Sequence, residues 1–173
     1  LPVRPLVPAN AGLLITWSPG FRGRHAGSPL KTVVIAHGDT RLRGDLVVTA
    51  RGLEGGAVYR LGPAIRAASQ PGQPVGITLD LKPDLTVAQL AERFDRMLRK
   101  GRSRSTALRR AGLLPAAVDL LREAQPGLPT SADGLARLVK ALPLAVDGLD
   151  GLERAISSAG GLALEALDAR CMI

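Results

Sequence analysis

The chain has 173 residues, of which 46% are hydrophobic and 22% are charged, a composition typical of globular proteins. No apolar run approaches the roughly 18 residues of a membrane span, and the first residues lack the order of a signal peptide, so we expect a cytoplasmic protein without a membrane partner. The single cysteine, Cys171, excludes an internal disulfide, and no cluster of Cys and His has metal-ligand spacing, so no metal site is expected.

Three short runs rich in β-branched residues predict strands in the first half of the chain, at 31–38, 45–50 and 75–81. Each run is bounded by Gly, Pro or Asp. His25 and His37 are isolated in this region and are interpreted as solvated or core histidines rather than ligands.

The stretch at 50–70 combines a strand end with three glycines, Gly52, Gly55 and Gly56, and then continues as a helix-like apolar run. The spacing fits neither a GxGxxG fingerprint nor a P-loop. The residues alone therefore predict a tight turn from strand to helix rather than a phosphate cradle.

The spacing of apolar residues changes near residue 83 from the alternation of strands to the period of helices, so helices are predicted after this point. Thr86 and Gln89 form a capping box at the start of one helix, and Pro115 stands in the first turn of another. Ser131 caps a third helix, and a shorter one is expected at 104–111.

A basic segment at 96–112 accounts for much of the net charge of +8. Arg96, Arg99 and Lys100 fit the last turn of a predicted helix, where cations complement the helix dipole. Capping does not explain the cations from Arg102 to Arg110. No aromatic residue interrupts them as a stacking platform would, so nucleic acid is the less favoured partner.

Strand-like runs return after Pro143, in "LAVDG", "RAISS" and "LALEA". The order of strands, helices and strands without βαβ alternation predicts an α+β fold, in which a β unit is interrupted by a helical subdomain. We expect 1–82 with 143–165 to form the β unit and 84–142 the helical subdomain. Both ends of the chain read as excision points from a longer protein.

Four segments in order resemble the inserted middle domain of BaiN-like (HI0933-like) flavoproteins, which are predicted FAD-dependent oxidoreductases. They are "RPLVPANAG", "GLEGGA", "GRSRS" followed by "ALRRAGL", and "AISSAGGLALEALDARCM". The resemblance, which also takes in "WSPGFRGRHAGSPLK", extends over almost the whole chain. Glu54 and Gly56 depart from the family's Gly-Leu-Ser-Gly-Pro-Ala signature.

The resemblance implies a closed β-barrel like that of translation factors and flavin reductases, with a helical subdomain, and a return segment at 166–173 toward an FAD-binding domain of the same parent chain. It implies an oxidoreductase that uses FAD and possible NAD(P)H, although this chain alone is not expected to hold FAD or to be catalytic. The chain lacks the Gly-rich fingerprint and the acidic ribose partner of a dinucleotide site.

In the family, a Thr-x-Gly-Gly-Val segment passes beside the reactive part of the flavin. Ser158, Gly160 and Gly161 lie over that segment and are the implied cofactor-binding residues, through backbone that faces the flavin. The alternative from the residues alone is a hairpin turn in which the two glycines supply positive φ.

Trp17, Gly52, Gly55 and Gly56 are candidates for the substrate entrance, and no catalytic residue can be named. Three functions remain open: a flavoprotein insert that covers the cofactor and shapes substrate access, a basic nucleic-acid- or ribosome-associated barrel module, and a purely structural or oligomerising insert.

Overall fold

The computed structural model describes residues 2–163 and 165. Its strands are β1 (Val3–Asn10), β2 (Leu13–Leu14), β3 (Pro29–His37), β4 (Thr40–Thr49), β5 (Gly52–Glu54), β6 (Val75–Asp80), β7 (Leu142–Val146), β8 (Gly148–Leu149) and β9 (Ser157–Leu162). Its helices are α1 (Pro19–His25), α2 (Gly56–Ala68), α3 (Val87–Arg99), α4 (Arg104–Arg110), α5 (Pro115–Ala124) and α6 (Ala132–Lys140), and a short 3-10 helix covers Leu152–Arg154. The predicted return segment 166–173 lies outside these residues.

The strands form two separate sheets, and every pair among the described residues is antiparallel. Seven strands follow the order β7-β6-β3-β4-β5-β2-β8, whereas β1 and β9 pair only with each other. The fold is therefore α+β, with a large curled sheet and a separate two-stranded ribbon.

The large sheet is barrel-like, but no closed barrel is seen in the described residues, and the closed barrel implied by the resemblance is corrected here. Its two edge strands, β7 and β8, are consecutive in the chain and are separated only by Asp147. The backbone N–H of Asp147 donates to the carbonyl oxygen of Leu14 at 2.8 Å. The chain thus changes partner from β6 to β2 at this residue, so the sheet curls on itself and keeps two edges.

The four helices α3 to α6 lie between the adjacent strands β6 and β7 in the chain. The capping box of Thr86 and Gln89 is present at the start of α3, and Ser131 caps α6, as predicted. Buried side chains of strands and helices form one continuous cluster. The division into a β unit (1–82 with 143–165) and a helical subdomain (84–142) stays a prediction. None of the helices in the described part of the chain is long and apolar enough to span a bilayer.

The three early strands and the strand-to-helix turn at 50–70 are confirmed as β3, β4, β6, β5 and α2. The strand-like reading of "RAISS" is wrong over its first residues, because the 3-10 helix extends to Arg154 and β9 begins only at Ser157. Of "LALEA", only Leu162 belongs to a strand, and residues 164 and 166 lie outside the described part.

Candidate functional site

The strand that carries the flavin-facing candidates is β9, which pairs with β1 along its length. Gly161 lies opposite Arg4, and Ser158 lies opposite Pro8. The register shifts twice, once between Arg4 and Val7 and once between Pro8 and Asn10. The three candidates therefore lie on one irregular strand of an exposed ribbon, and the hairpin-turn alternative is wrong for this segment.

Gly160 is required by the ribbon itself. Its φ is +111°, and a Cβ at this position would collide with the carbonyl oxygen of Pro5 and stand 3.1 Å from the Cα of Leu6. The close approach of β1 therefore explains the missing side chain without any ligand.

Gly161 differs from its neighbour, because the space on its side-chain side is open. Its φ is +86°, and no described atom lies within 4 Å of a Cβ built there. The positive φ that belonged to the hairpin-turn alternative is present at both glycines, although they lie in a strand and not in a turn. The positive φ by itself favours glycine at this position, and the open side-chain side leaves the backbone of Gly161 free to be approached by a group outside the described residues.

The ribbon also exposes large apolar side chains. Leu6 is 56% exposed and Ile156 is 67% exposed. Of the eight large hydrophobic residues that are exposed in the described part of the chain, five lie on or beside the ribbon, namely Val3, Leu6, Val7, Ile156 and Leu162. An exposed apolar patch of this kind is typical of a surface that another protein segment or ligand covers.

One cation lies at the same end of the ribbon. Arg4 donates a hydrogen bond from Nη2 to Oε1 of Glu165 at 2.7 Å, and both side chains are exposed. That hydrogen bond is the main cause of a lowered pKa at Glu165. Arg4 was not identified from the sequence, because its position opposite Gly161 depends on the pairing of the two chain ends.

Gly52 and Gly55 are bare for reasons internal to the large sheet. A Cβ on Gly52 would collide with the carbonyl oxygen of Leu13, and one on Gly55 would stand 2.6 Å from the carbonyl oxygen of Asp45. Gly56 begins α2 and has open space around it. Their role at a substrate entrance stays a prediction.

Trp17 is buried, and its indole N–H donates to the carbonyl oxygen of Thr49 at 3.1 Å. It lines a pocket of about 370 Å³ together with Arg51 and Asp147. The structure does not bring Gly52, Gly55 or Gly56 to the wall of this pocket. Trp17 is therefore the entrance candidate that borders this pocket.

A buried histidine and a carboxylate join α1 to α5. His25 Nε2 lies 2.8 Å from Oδ2 of Asp119, whose other oxygen accepts from Arg122 at 2.9 Å. Burial opposes ionisation of Asp119, but the hydrogen bonds from His25 and Arg122 outweigh it and lower the pKa of that carboxyl. The core interpretation of His25 is confirmed, whereas its partner, 94 residues away in sequence, had no local signal.

A buried carboxylate also holds the chain just before the ribbon. Asp150 is buried and accepts from Arg51 at 2.9 Å and from Arg154 at 3.0 Å. Asp150 therefore links the turn just before β5 to the 3-10 helix, and we interpret its role as structural. Among the described residues, no three His, Cys, Asp or Glu side chains are arranged to hold a metal ion.

The basic segment is a surface of α3 and α4. Arg96 and Arg99 bind Glu92 and Asp95 within α3, and Arg104 donates to the carbonyl oxygen of Leu128. Within the described part of the chain, no carboxylate lies within 4 Å of four other cations of this segment, namely Lys100, Arg102, Arg109 and Arg110.

Comparison with known proteins gives one family. No curated protein matches the chain. The model of the family described as "HI0933-like protein barrel and H2TH domain" matches residues 7–157, which is most of the sequence and includes the barrel-like sheet and all six helices. The chain belongs to the HI0933-like family, as a barrel and H2TH domain.

Proposed function

We propose that this chain is the insert domain of a FAD-dependent oxidoreductase, where it covers the flavin and shapes substrate access. The family membership supports a place in such a protein. The proposal assigns the ribbon of β1 and β9 to the flavin and to the FAD-binding domain of the same parent chain.

The observation that carries the proposal is the open backbone at Gly161. Two consecutive glycines with positive φ lie in a paired strand. Backbone of β1 fills the side-chain side of Gly160, whereas that side of Gly161, whose φ of +86° by itself favours glycine, is open among the described residues. A flat ring can approach the backbone of a glycine more closely than the backbone of a residue that carries a side chain. The exposed apolar residues Leu6 and Ile156 would be covered when the ribbon meets the FAD-binding domain.

The described residues leave room for the flavin ring of FAD, but they offer no site for its phosphates. Dinucleotide phosphates bind where a Gly-rich turn joins a parallel strand to a helix, but the strand pairs described here are all antiparallel. The glycine turn before α2 offers no cradle, because the backbone of Asp45 occupies the side-chain side of Gly55. We therefore assign to this chain a contact with the flavin ring and none with the phosphates.

When bound, FAD would supply the electron-transfer chemistry, with NAD(P)H as a possible donor. The chain's own contribution would be to exclude water and to orient groups around the ring. Ser158 and Gly161 would present hydroxyl and backbone groups on β9, and the ion pair of Arg4 with Glu165 would lie at the same end of the ribbon. The pocket beside Trp17 would border the route of the substrate.

Hydrogen exchange in the parent protein tests this assignment. Amides of residues 157–162 should exchange more slowly with FAD bound than after FAD removal, whereas amides of the β3–β4 hairpin at 37–40 should not change. Equal exchange in β9 with and without FAD would contradict the proposal. Protection that follows protein concentration instead of FAD would favour the oligomerising alternative.

A further inference from the structure

A pocket of about 370 Å³ opens between β3, the loop after β6 and the turn that joins α4 to α5. Its floor is apolar and is formed by the buried side chains of Leu30, Val33, Leu81 and Leu113. The pocket thus lies where the curled sheet meets the helices, and none of its lining residues belongs to the β1–β9 ribbon.

The wall on β3 is irregular. The pairing of β3 with β4 shifts between Leu30 and Val33, and Thr32 within the shift has a φ of +51°. Thr32 is the one non-glycine residue with positive φ in the described part of the chain. Its N–H donates to Oδ1 of Asp45 at 2.8 Å, and the ammonium of Lys31 binds Oδ2 at 2.7 Å. The bulge therefore shapes the rim, and Asp45 neutralises the charge of Lys31.

Lys82 is the cation on the rim that has no counter-charge. Its Nζ lies 3.4 Å from the carbonyl oxygen of Gly112, which is long for a hydrogen bond of a charged donor. No carboxylate of the described residues lies within 4 Å of it. The remaining acid of the lining, Asp84, is bound to Arg43 at 2.7 Å.

We propose that this pocket binds a small amphipathic carboxylic acid, with its apolar part on Leu30 and Leu113 and its carboxylate beside Lys82. Ligand pockets of a few hundred Å³ combine an apolar lining with a few placed polar groups, as this one does. The uncompensated charge of Lys82 selects an anion over a neutral or cationic molecule of the same shape. This binding is additional to the proposed flavin contact.

A titration of the chain with sodium octanoate, followed by amide chemical shifts, tests the proposal. The shifts should concentrate at 30–33, at Lys82 and at 112–114. Octanol should bind the same residues about two- to fivefold more weakly, because one solvent-accessible ion pair contributes about that much. The absence of saturable shifts with octanoate, or equal affinity for octanol, would overturn the proposal.

Lys82→Met removes the charge and keeps an unbranched side chain, and it should weaken octanoate about two- to fivefold without changing octanol. Lys100→Met is the matched control, since Lys100 is exposed and does not line the pocket. Equal octanoate affinity in the two variants would contradict the role of Lys82.

A second pair of variants keeps the test independent of folding. Leu114 is exposed, lines the pocket and is the N-cap of α5 without a side-chain hydrogen bond. Asp and Asn are both favourable at an N-cap, so Leu114→Asp and Leu114→Asn should fold alike. Only the Asp variant adds a negative charge, and it should bind octanoate severalfold more weakly than the Asn variant. Equal binding by both would overturn the proposal.

Discussion

The large sheet and its helices bury their large apolar side chains, whereas the β1–β9 ribbon leaves several of its own exposed. In the first region, Phe94 and Leu79 are fully buried within one cluster that joins strands to helices. In the ribbon, Leu6 and Ile156 are more than half exposed, and only two strands pair. Because an isolated two-stranded ribbon is at best marginally stable, we interpret the first region as the part that folds the chain and the ribbon as the part that meets something else.

The largest expected effect is the difference in unfolding free energy between truncating a side chain in the core and truncating one in the ribbon. Phe94→Ala should lower the free energy of unfolding by about 3–5 kcal/mol, because it leaves a cavity in the shared core. Leu6→Ala should change it by no more than about 0.5 kcal/mol. Urea denaturation of the two variants measures both. A comparable loss in Leu6→Ala would mean that the ribbon is part of the cooperative core.

Two glycines with the same local clash should behave differently in the two regions. A Cβ on Gly52 or on Gly160 collides with a backbone carbonyl oxygen. Gly52→Ala should lower the global unfolding free energy by roughly 1–3 kcal/mol through backbone strain. Gly160→Ala should instead increase hydrogen exchange in β1 and β9 and leave the global midpoint almost unchanged.

Gly76→Ala is the control for this pair, since Gly76 lies in β6 with open space and without a positive φ. It should match the unaltered chain in both measurements. A large global loss in Gly160→Ala would contradict the separation of the ribbon from the core.

Acid should act on the core region through Asp119. Its pKa is lower in the folded chain than its ordinary value of 3.8, so its ionised form stabilises the fold above that value. This stabilisation is lost as the pH falls through the lowered pKa. Asp119→Asn should remove roughly 1–3 kcal/mol at neutral pH, because it breaks charge-assisted hydrogen bonds. Unfolding free energies measured between pH 7 and pH 3 should fall less in the variant than in the unaltered chain, and parallel curves would contradict this account.

The smallest effect on stability is expected at the basic surface. Arg102, Arg109 and Arg110 are exposed and have no carboxylate within 4 Å among the described residues, so their joint replacement by Gln should cost the fold little. Arg104 differs because it holds the carbonyl oxygen of Leu128, and Arg104→Gln should cost more than any of the other three.

The same variants test the nucleic-acid alternative. If this surface binds phosphates, the unaltered chain should bind a mixed oligonucleotide with an affinity that falls steeply with salt, and the triple Gln variant should lose that dependence. Weak binding that is insensitive to salt would leave the basic surface with a solvating role.

Local patterns predicted the elements whose signal lies within a few residues. The capping box at Thr86 and the alternation that begins at Val75 are examples, and both are present. The family resemblance predicted the barrel-like sheet, but not the change of partner at Asp147 that leaves it with two edges. That feature depends on contacts between residues more than 100 positions apart, for which a single sequence carries no local signal.

The candidate site was predictable in part for the same reason. The resemblance located the glycine pair, and positive φ followed from the residue type. Their unequal surroundings did not follow, because the clash at Gly160 comes from Pro5 at the other end of the chain. Likewise, nothing around His25 in the sequence indicated a bond to Asp119.

The claim that the open backbone of Gly161 faces the flavin is tested most directly by Gly161→Asn in the parent protein. Asn tolerates positive φ better than most residues and adds a side chain into space that the described residues leave open. Gly27→Asn is the matched control, with a φ of +89° and open space as well. In the chain alone, both variants should lose the same small amount of thermal stability, because each places a side chain at a similar positive φ. We predict that the parent with Gly161→Asn loses FAD or shows a shifted flavin absorption band, whereas Gly27→Asn does not. The same FAD content and spectrum in the two variants would contradict the account.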